Sequence, residues 1–163
     1  MNITKPELKH AEAIAAICSK GWRQTVAGKL SEEFQRQNVA YWYNLGRVKE
    51  EIQSGSYRYV AMQVGRVVGV IGGAVTGQST GEVFVLYVDE AARYKGAGKL
   101  LLEALTKDQK QQGVSEQWVS VQEGNTLGIP FYEARGFRLR GKKSNLTETG
   151  ETQVSLRYYR EIG

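Results

Sequence analysis

The chain has 163 residues, 41% hydrophobic and 24% charged, which is the size and balance of one soluble globular domain. Its one cysteine, Cys18, excludes an internal disulfide framework, and its one histidine, His10, leaves no cysteine and histidine set for zinc. The apolar runs are strand-sized and no basic segment leads into an apolar stretch, so the expectation is a cytoplasmic protein with no metal and no membrane partner.

Residues 1–5 read as a short strand, and Pro6 suits a helix start. Leu8, Ala11, Ile14, Ala15 and Cys18 recur at helical spacing, which predicts an amphipathic helix over 7–20. His10 is expected at the surface near its start, and Cys18 on its apolar face. Ser31 suits the N-cap of a second helix that runs to Ile52, broken near Gly46, before Ser54-Gly55 stops it. Tyr57 to Val64 and Val67 to Thr76 are β-rich runs joined by Gly65-Arg66 as a two-residue hairpin, and Glu82 to Val88 is a third strand. A helix then opens at Ala97, runs through Leu101, Ala104 and Leu105, and ends at Gly113. Trp118 to Val121 is a strand, Thr126 to Arg135 a short helix, and Phe137 to Arg140 and Gln153 to Tyr159 the last two strands. The order β-α-α-β-β-β-α-β-α-β-β describes a single mixed-sheet α/β domain over residues 1–163.

The strongest chemical signal is the apolar strand Val83 to Val88 leading into Arg93-Tyr94-Lys95-Gly96-Ala97-Gly98. Glycines allow close backbone approach to a ligand, and the first N–H groups of a helix have no internal partner and bind anions. Arg93, Lys95 and Lys99 add positive charge, so a diphosphate is the natural guest. The Walker pattern is absent, and Gly96-Ala97-Gly98-Lys99-Leu100-Leu101 lacks the third glycine of the dinucleotide fingerprint.

Arg93 to Gly98 resembles the coenzyme A pyrophosphate motif [QR]-x-x-G-x-[GA] of the GNAT acetyltransferase superfamily. It follows Leu86-Tyr87-Val88-Asp89 and precedes Glu123-Gly124-Asn125 and Phe131-Tyr132-Glu133-Ala134-Arg135-Gly136-Phe137 at family spacing. The resemblance implies acetyl-CoA as cosubstrate and an amine as acceptor. It also implies that strands 83–88 and 118–121 are parallel neighbours that splay apart around the pantetheine arm. The cofactor site implied is Leu86, Tyr87, Val88, Arg93, Tyr94, Lys95, Gly96, Ala97, Gly98, Lys99, Asn125 and Tyr132.

Acetyl transfer needs a deprotonated amine, a polarised thioester carbonyl and a proton for the departing thiolate. A lysine-like amine is neutral in only about one molecule in 2,500 at pH 7, which makes a general base useful. The resemblance offers Glu82 as that base, where the alternative is an ordinary solvent-facing strand residue. It offers Tyr132 as the acid, where the alternative is a core aromatic. Asn125 is either a ligand of the coenzyme arm or a loop cap. Backbone N–H groups around Leu86 to Val88 are expected to meet the carbonyl as an oxyanion hole.

Trp22 and Tyr41-Trp42-Tyr43 fall where such proteins build the acceptor side, and Glu32, Glu33, Glu50 and Glu51 are acids that could attract a polyamine. Three readings follow. The first is an acetyltransferase of a small amine such as a polyamine or amino compound, and the second is an acetyltransferase of a protein N-terminus or lysine. The third is a non-catalytic acyl-CoA-binding module. The net charge of +5 and the basic run Arg135, Arg138, Arg140, Lys142 and Lys143 come without a nucleic-acid motif, so that partner is disfavoured. The oligomeric state, a homodimer included, stays open.

Overall fold

The computed structural model describes residues 1–163. One seven-stranded sheet, in the order β1-β2-β3-β4-β5-β7-β6, is built from β1 (Asn2–Thr4), β2 (Tyr57–Gln63), β3 (Arg66–Val75), β4 (Thr80–Val88), β5 (Glu116–Gln122), β6 (Arg138–Leu146) and β7 (Thr152–Glu161). Every neighbouring pair is antiparallel except β4 and β5. That parallel pair requires the crossover that α4 (Ala97–Gln111) supplies. Helices α1 (Ala11–Val26), α2 (Glu32–Trp42) and α3 (Leu45–Ser54) precede the main sheet, and α5 (Gly128–Ala134) lies between β5 and β6. No helix is long and apolar enough to cross a membrane.

Two apolar clusters hold the layers together. Ile14, Ile17 and Cys18 of α1 and Val48 of α3 pack with Val60, Val67 and Val70. Leu101, Leu102 and Leu105 of α4 pack with Ile71, Val83, Val119, Val121 and Leu156, joined by Tyr132 and Phe137.

Local chemistry explains where the elements begin and end. The break expected near Gly46 is present and centres on Asn44, which caps α3. The Asn44 amide nitrogen donates to the carbonyls of Ala40 and Tyr41, both at 3.0 Å, while its oxygen accepts from Arg47 N at 2.9 Å. One side chain thus closes α2 and opens α3. The β2–β3 turn is Val64-Gly65 rather than Gly65-Arg66, with φ of 51° and 73°, as a primed hairpin turn requires. His10 is buried, not at the surface: its Nδ1 accepts the Glu7 N–H at 2.9 Å in a short 3-10 turn before α1.

β4 carries a bulge. Gly72 pairs with Val85 and Gly73 with Val83, so Phe84 has no partner on β3. The β4–β5 ladder runs from Thr80 opposite Glu116 to Val83 opposite Val119 and stops there. The expected splay begins at the bulge.

Candidate active site

Beyond Val83 and Val119 each strand keeps its outer partner. β4 stays on β3 to Val88, and β5 stays on β7, with Ser120 opposite Arg157 and Gln122 opposite Ser155. The backbone edges facing the gap have lost their ladder, which leaves donors and acceptors for a guest. Two cavities open there, of about 690 and 630 Å³, and both are lined by Leu86, Tyr87, Asn125 and Tyr132. They meet at the gap.

The first cavity holds the start of α4. Gly96 caps that helix at φ 89°, a left-handed conformation that glycine adopts without strain. Tyr94, Gly96, Ala97, Gly98 and Lys99 line the wall, so the unpaired N–H groups of the first turn face the space. The lining contains four cations, Lys29, Arg93, Lys99 and Arg135, and no carboxylate. Lys95, expected in this set, is not among the lining residues.

Lys29 and Arg135 went unmarked as cofactor residues because each comes from a remote element. Lys29 follows α1 and donates to the Thr25 carbonyl at 3.2 Å. Arg135 ends α5, stacks over Phe131 at 3.9 Å and donates to the Phe131 carbonyl at 2.8 Å, while its buried Nε has no partner. Arg93 donates to Gln24 Oε1 at 2.5 Å, which ties the loop to α1.

Asn125 serves as a cap. Its Oδ1 accepts from the N–H groups of Leu127 at 3.1 Å and Gly128 at 2.8 Å, which leaves its amide nitrogen for the cavity. Tyr132 is 7% exposed and wedged edge-to-face between Phe131 and Phe137, each 5.2 Å away. Its hydroxyl has no partner in the chain, and burial pushes its pKa well above that of a free phenol. Tyr87 is likewise pushed up, by burial first and then by the neighbouring Tyr43 phenol and other groups. Its ring lies against the α1 backbone at Gly21, where a Cβ would come within 2.4 Å of the ring.

Glu82 stands apart. It sits where β4 and β5 are still paired, opposite Trp118, and lines neither cavity. Its carboxylate accepts from Arg157 of β7, whose guanidinium also donates to Ser120 Oγ at 2.7 Å. The structure therefore brings Tyr132, Asn125, Leu86, Tyr87, Val88 and the 93–99 loop, apart from Lys95, to the first cavity, and it engages Glu82 elsewhere.

The second cavity lies between α1–α3 and the β4–β5–β7 surface. Aromatic rings from Trp22, Trp42, Tyr43, Tyr57 and Phe84 line it, with Glu51 as its one charged residue. Of the acids that stood out in the sequence, Glu32, Glu33 and Glu50 do not reach it.

A splayed parallel pair flanked by a cationic helix-start cavity is the arrangement that the resemblance to the GNAT acetyltransferases implies. The Acetyltransferase (GNAT) family model matches residues 16–137, and the chain belongs to that family. Among named relatives, the chain is 24% identical over 144 residues to the spermidine N(1)-acetyltransferase of Thermoplasma acidophilum, covering 85% of this chain and 89% of that one. It is 36% identical over only 55 residues to the [ribosomal protein bS18]-alanine N-acetyltransferase of Haemophilus ducreyi, or 34% of this chain and 38% of that one. Among solved structures, the fold matches the PaiA N-acetyltransferase of Thermoplasma acidophilum in complex with coenzyme A, with a TM-score of 0.82 at 22% identity over 98% of both chains. It also matches YncA of Salmonella typhimurium with acetyl-CoA, with a TM-score of 0.72 at 18% identity over 100% of this chain and 94% of that one.

Proposed function

We propose that this GNAT acetyltransferase, working in the cytoplasm, moves the acetyl group of acetyl-CoA directly onto the primary amine of a small molecule. The observation that carries the reading is the meeting of two cavities at the β4–β5 gap, with Tyr132 lining both. One cavity suits a polyanion and the other suits an amine.

In this reading the coenzyme diphosphate lies on the first N–H groups of α4, with Lys29, Arg93, Lys99 and Arg135 around it. The pantetheine arm fills the gap beside Asn125. Backbone N–H groups of β4 between Leu86 and Val88 polarise the thioester carbonyl. The amine enters from the second cavity and its nitrogen, once neutral, bonds to the carbonyl carbon. The carbon–sulfur bond then breaks, and the sulfur takes the Tyr132 proton. The proton shed by the nitrogen passes to water and restores the phenol. Glu82, held by Arg157 outside both cavities, is left out of the transfer.

Full-length likeness to a spermidine enzyme supports a small acceptor, whereas the short likeness to a ribosomal-protein enzyme favours a peptide N-terminus as the second reading. The test incubates the protein with acetyl-CoA and separate amine and peptide panels and follows free thiol. Thiol release with small amines supports the proposal, and release with alanyl peptides alone selects the second reading.

A further inference from the structure

The charge and exposure of the second cavity say more about the acceptor. Glu51 is the only ionisable acid in its lining, and no Lys or Arg lines it. The carboxylate sits at the end of α3, where Arg47 Nε donates to Oε1 at 3.1 Å and nothing in the chain donates to the other oxygen. Arg47 is itself held by stacking over Tyr41 at 4.5 Å and Trp42 at 4.3 Å, so the carboxylate is fixed by its own helix. The free oxygen is the one strong ammonium acceptor that the cavity offers.

The remaining surface is aromatic. Phe84 is 52% exposed and Trp42, although Arg47 stacks on one side of it, is 42% exposed, and both line the cavity. Phe84 has this exposure because the bulge turns it out of the β3–β4 ladder. Large rings left open in a concave site mark the place of an apolar guest.

We infer that Glu51 receives the acceptor's ammonium end as it enters the cavity, before that nitrogen loses a proton to water and attacks, and that the acceptor is a singly charged amine with a flat apolar body rather than a polyamine. The inference rests on the acetyltransferase reading. A polyamine would bring further ammonium groups into a space with no second carboxylate. Other acids do not line it and are engaged elsewhere: Glu32 pairs with Arg23 at 3.5 Å, and both oxygens of Glu151 accept from Ser31. Ammonium groups buried without partners oppose binding, whereas aromatic faces favour a single cation and an aromatic body.

The test measures kcat and KM for phenethylamine, spermidine and an alanyl peptide with the wild type, with Glu51→Gln and with the exposed control Glu50→Gln. The expected result is the highest kcat/KM for phenethylamine. Glu51→Gln should raise its KM about tenfold or more and leave the KM for acetyl-CoA unchanged, while Glu50→Gln behaves as wild type. Spermidine turned over as efficiently as phenethylamine, or an unchanged KM in Glu51→Gln, would overturn this inference and leave the acetyltransferase reading standing. Acetyl-CoA bound with no thiol released by any acceptor would overturn both.

Discussion

Alkaline pH should unfold this protein in one cooperative step centred near pH 11. Tyr43, Tyr57, Tyr87 and Tyr132 are all pushed upward, in each case chiefly by burial, and so is the thiol of Cys18. These groups are therefore neutral in the folded chain at pH values where the unfolded chain ionises them. Between pH 10 and 11 the folded state binds more protons than the unfolded state, so stability falls as pH rises. It is complete below the unfolded values, about 8.5 for the thiol and about 10 for a phenol. At pH 11 the four tyrosines together cost about 6 kcal/mol. The thiol, with its lower unfolded value, adds about 3 kcal/mol. The total rivals the roughly 5–15 kcal/mol that holds a typical domain together. The assay follows tyrosinate absorbance and far-ultraviolet circular dichroism through one titration. About four of the nine tyrosines should ionise only as the helical signal is lost. Completion of the tyrosinate signal with the dichroism intact would refute the reasoning, because the phenols would then be ionising inside the fold.

Tyr132→Phe keeps the wedge between Phe131 and Phe137, so its acetyl-CoA affinity should hold while kcat falls about 10²-fold, and undiminished turnover would mean that water protonates the sulfur. Gly96→Glu meets open space but needs a left-handed backbone, at a cost of about 1–2 kcal/mol, and adds an acid where phosphates bind. Circular dichroism should show it folded and calorimetry should show acetyl-CoA binding lost. Glu82→Gln removes the partner of Arg157, so chemical denaturation should show a loss of about 1 kcal/mol. Its turnover should stay within about twofold of wild type from pH 7 to 10, whereas a deficit confined to low pH would reinstate Glu82 as the general base.

What could be read in advance was whatever lies close along the chain. The 93–99 loop is legible because its glycines and cations are contiguous, and Phe131 to Phe137 because the signature is local. The cations Lys29 and Arg135 could not be assigned to the same cavity, since nothing in the spacing shows that the end of α1 and the end of α5 converge. Glu82 looked available because its partner Arg157 lies 75 residues away. β6 was cut short at Arg140 because every residue from Arg138 to Leu146 is exposed. Such a strand has no buried face, hence no alternation to detect, and only the ladder to β7 defines it. The part of Asn44 in the break between α2 and α3 was missed for a related reason, since a side chain that bonds to both helices looks like any polar residue.

The place of β7 in the sheet has a consequence for how the molecule is made. β7 lies between β5 and β6, and it is synthesised after every other strand of the sheet. Until it emerges, β5 has no partner past Val119 and β6 has no partner at all. The turn leading into it carries Glu151, whose carboxylate accepts from the backbone and hydroxyl of Ser31 across 120 residues of sequence. The nascent chain can therefore assemble the β1–β4 meander and its helices early, but the β5 side of the cleft must wait for the final hairpin. Contacts of such long sequence separation slow folding. A ribosome-stalled chain ending before Thr152 should thus be compact in its first half and unable to hold acetyl-CoA.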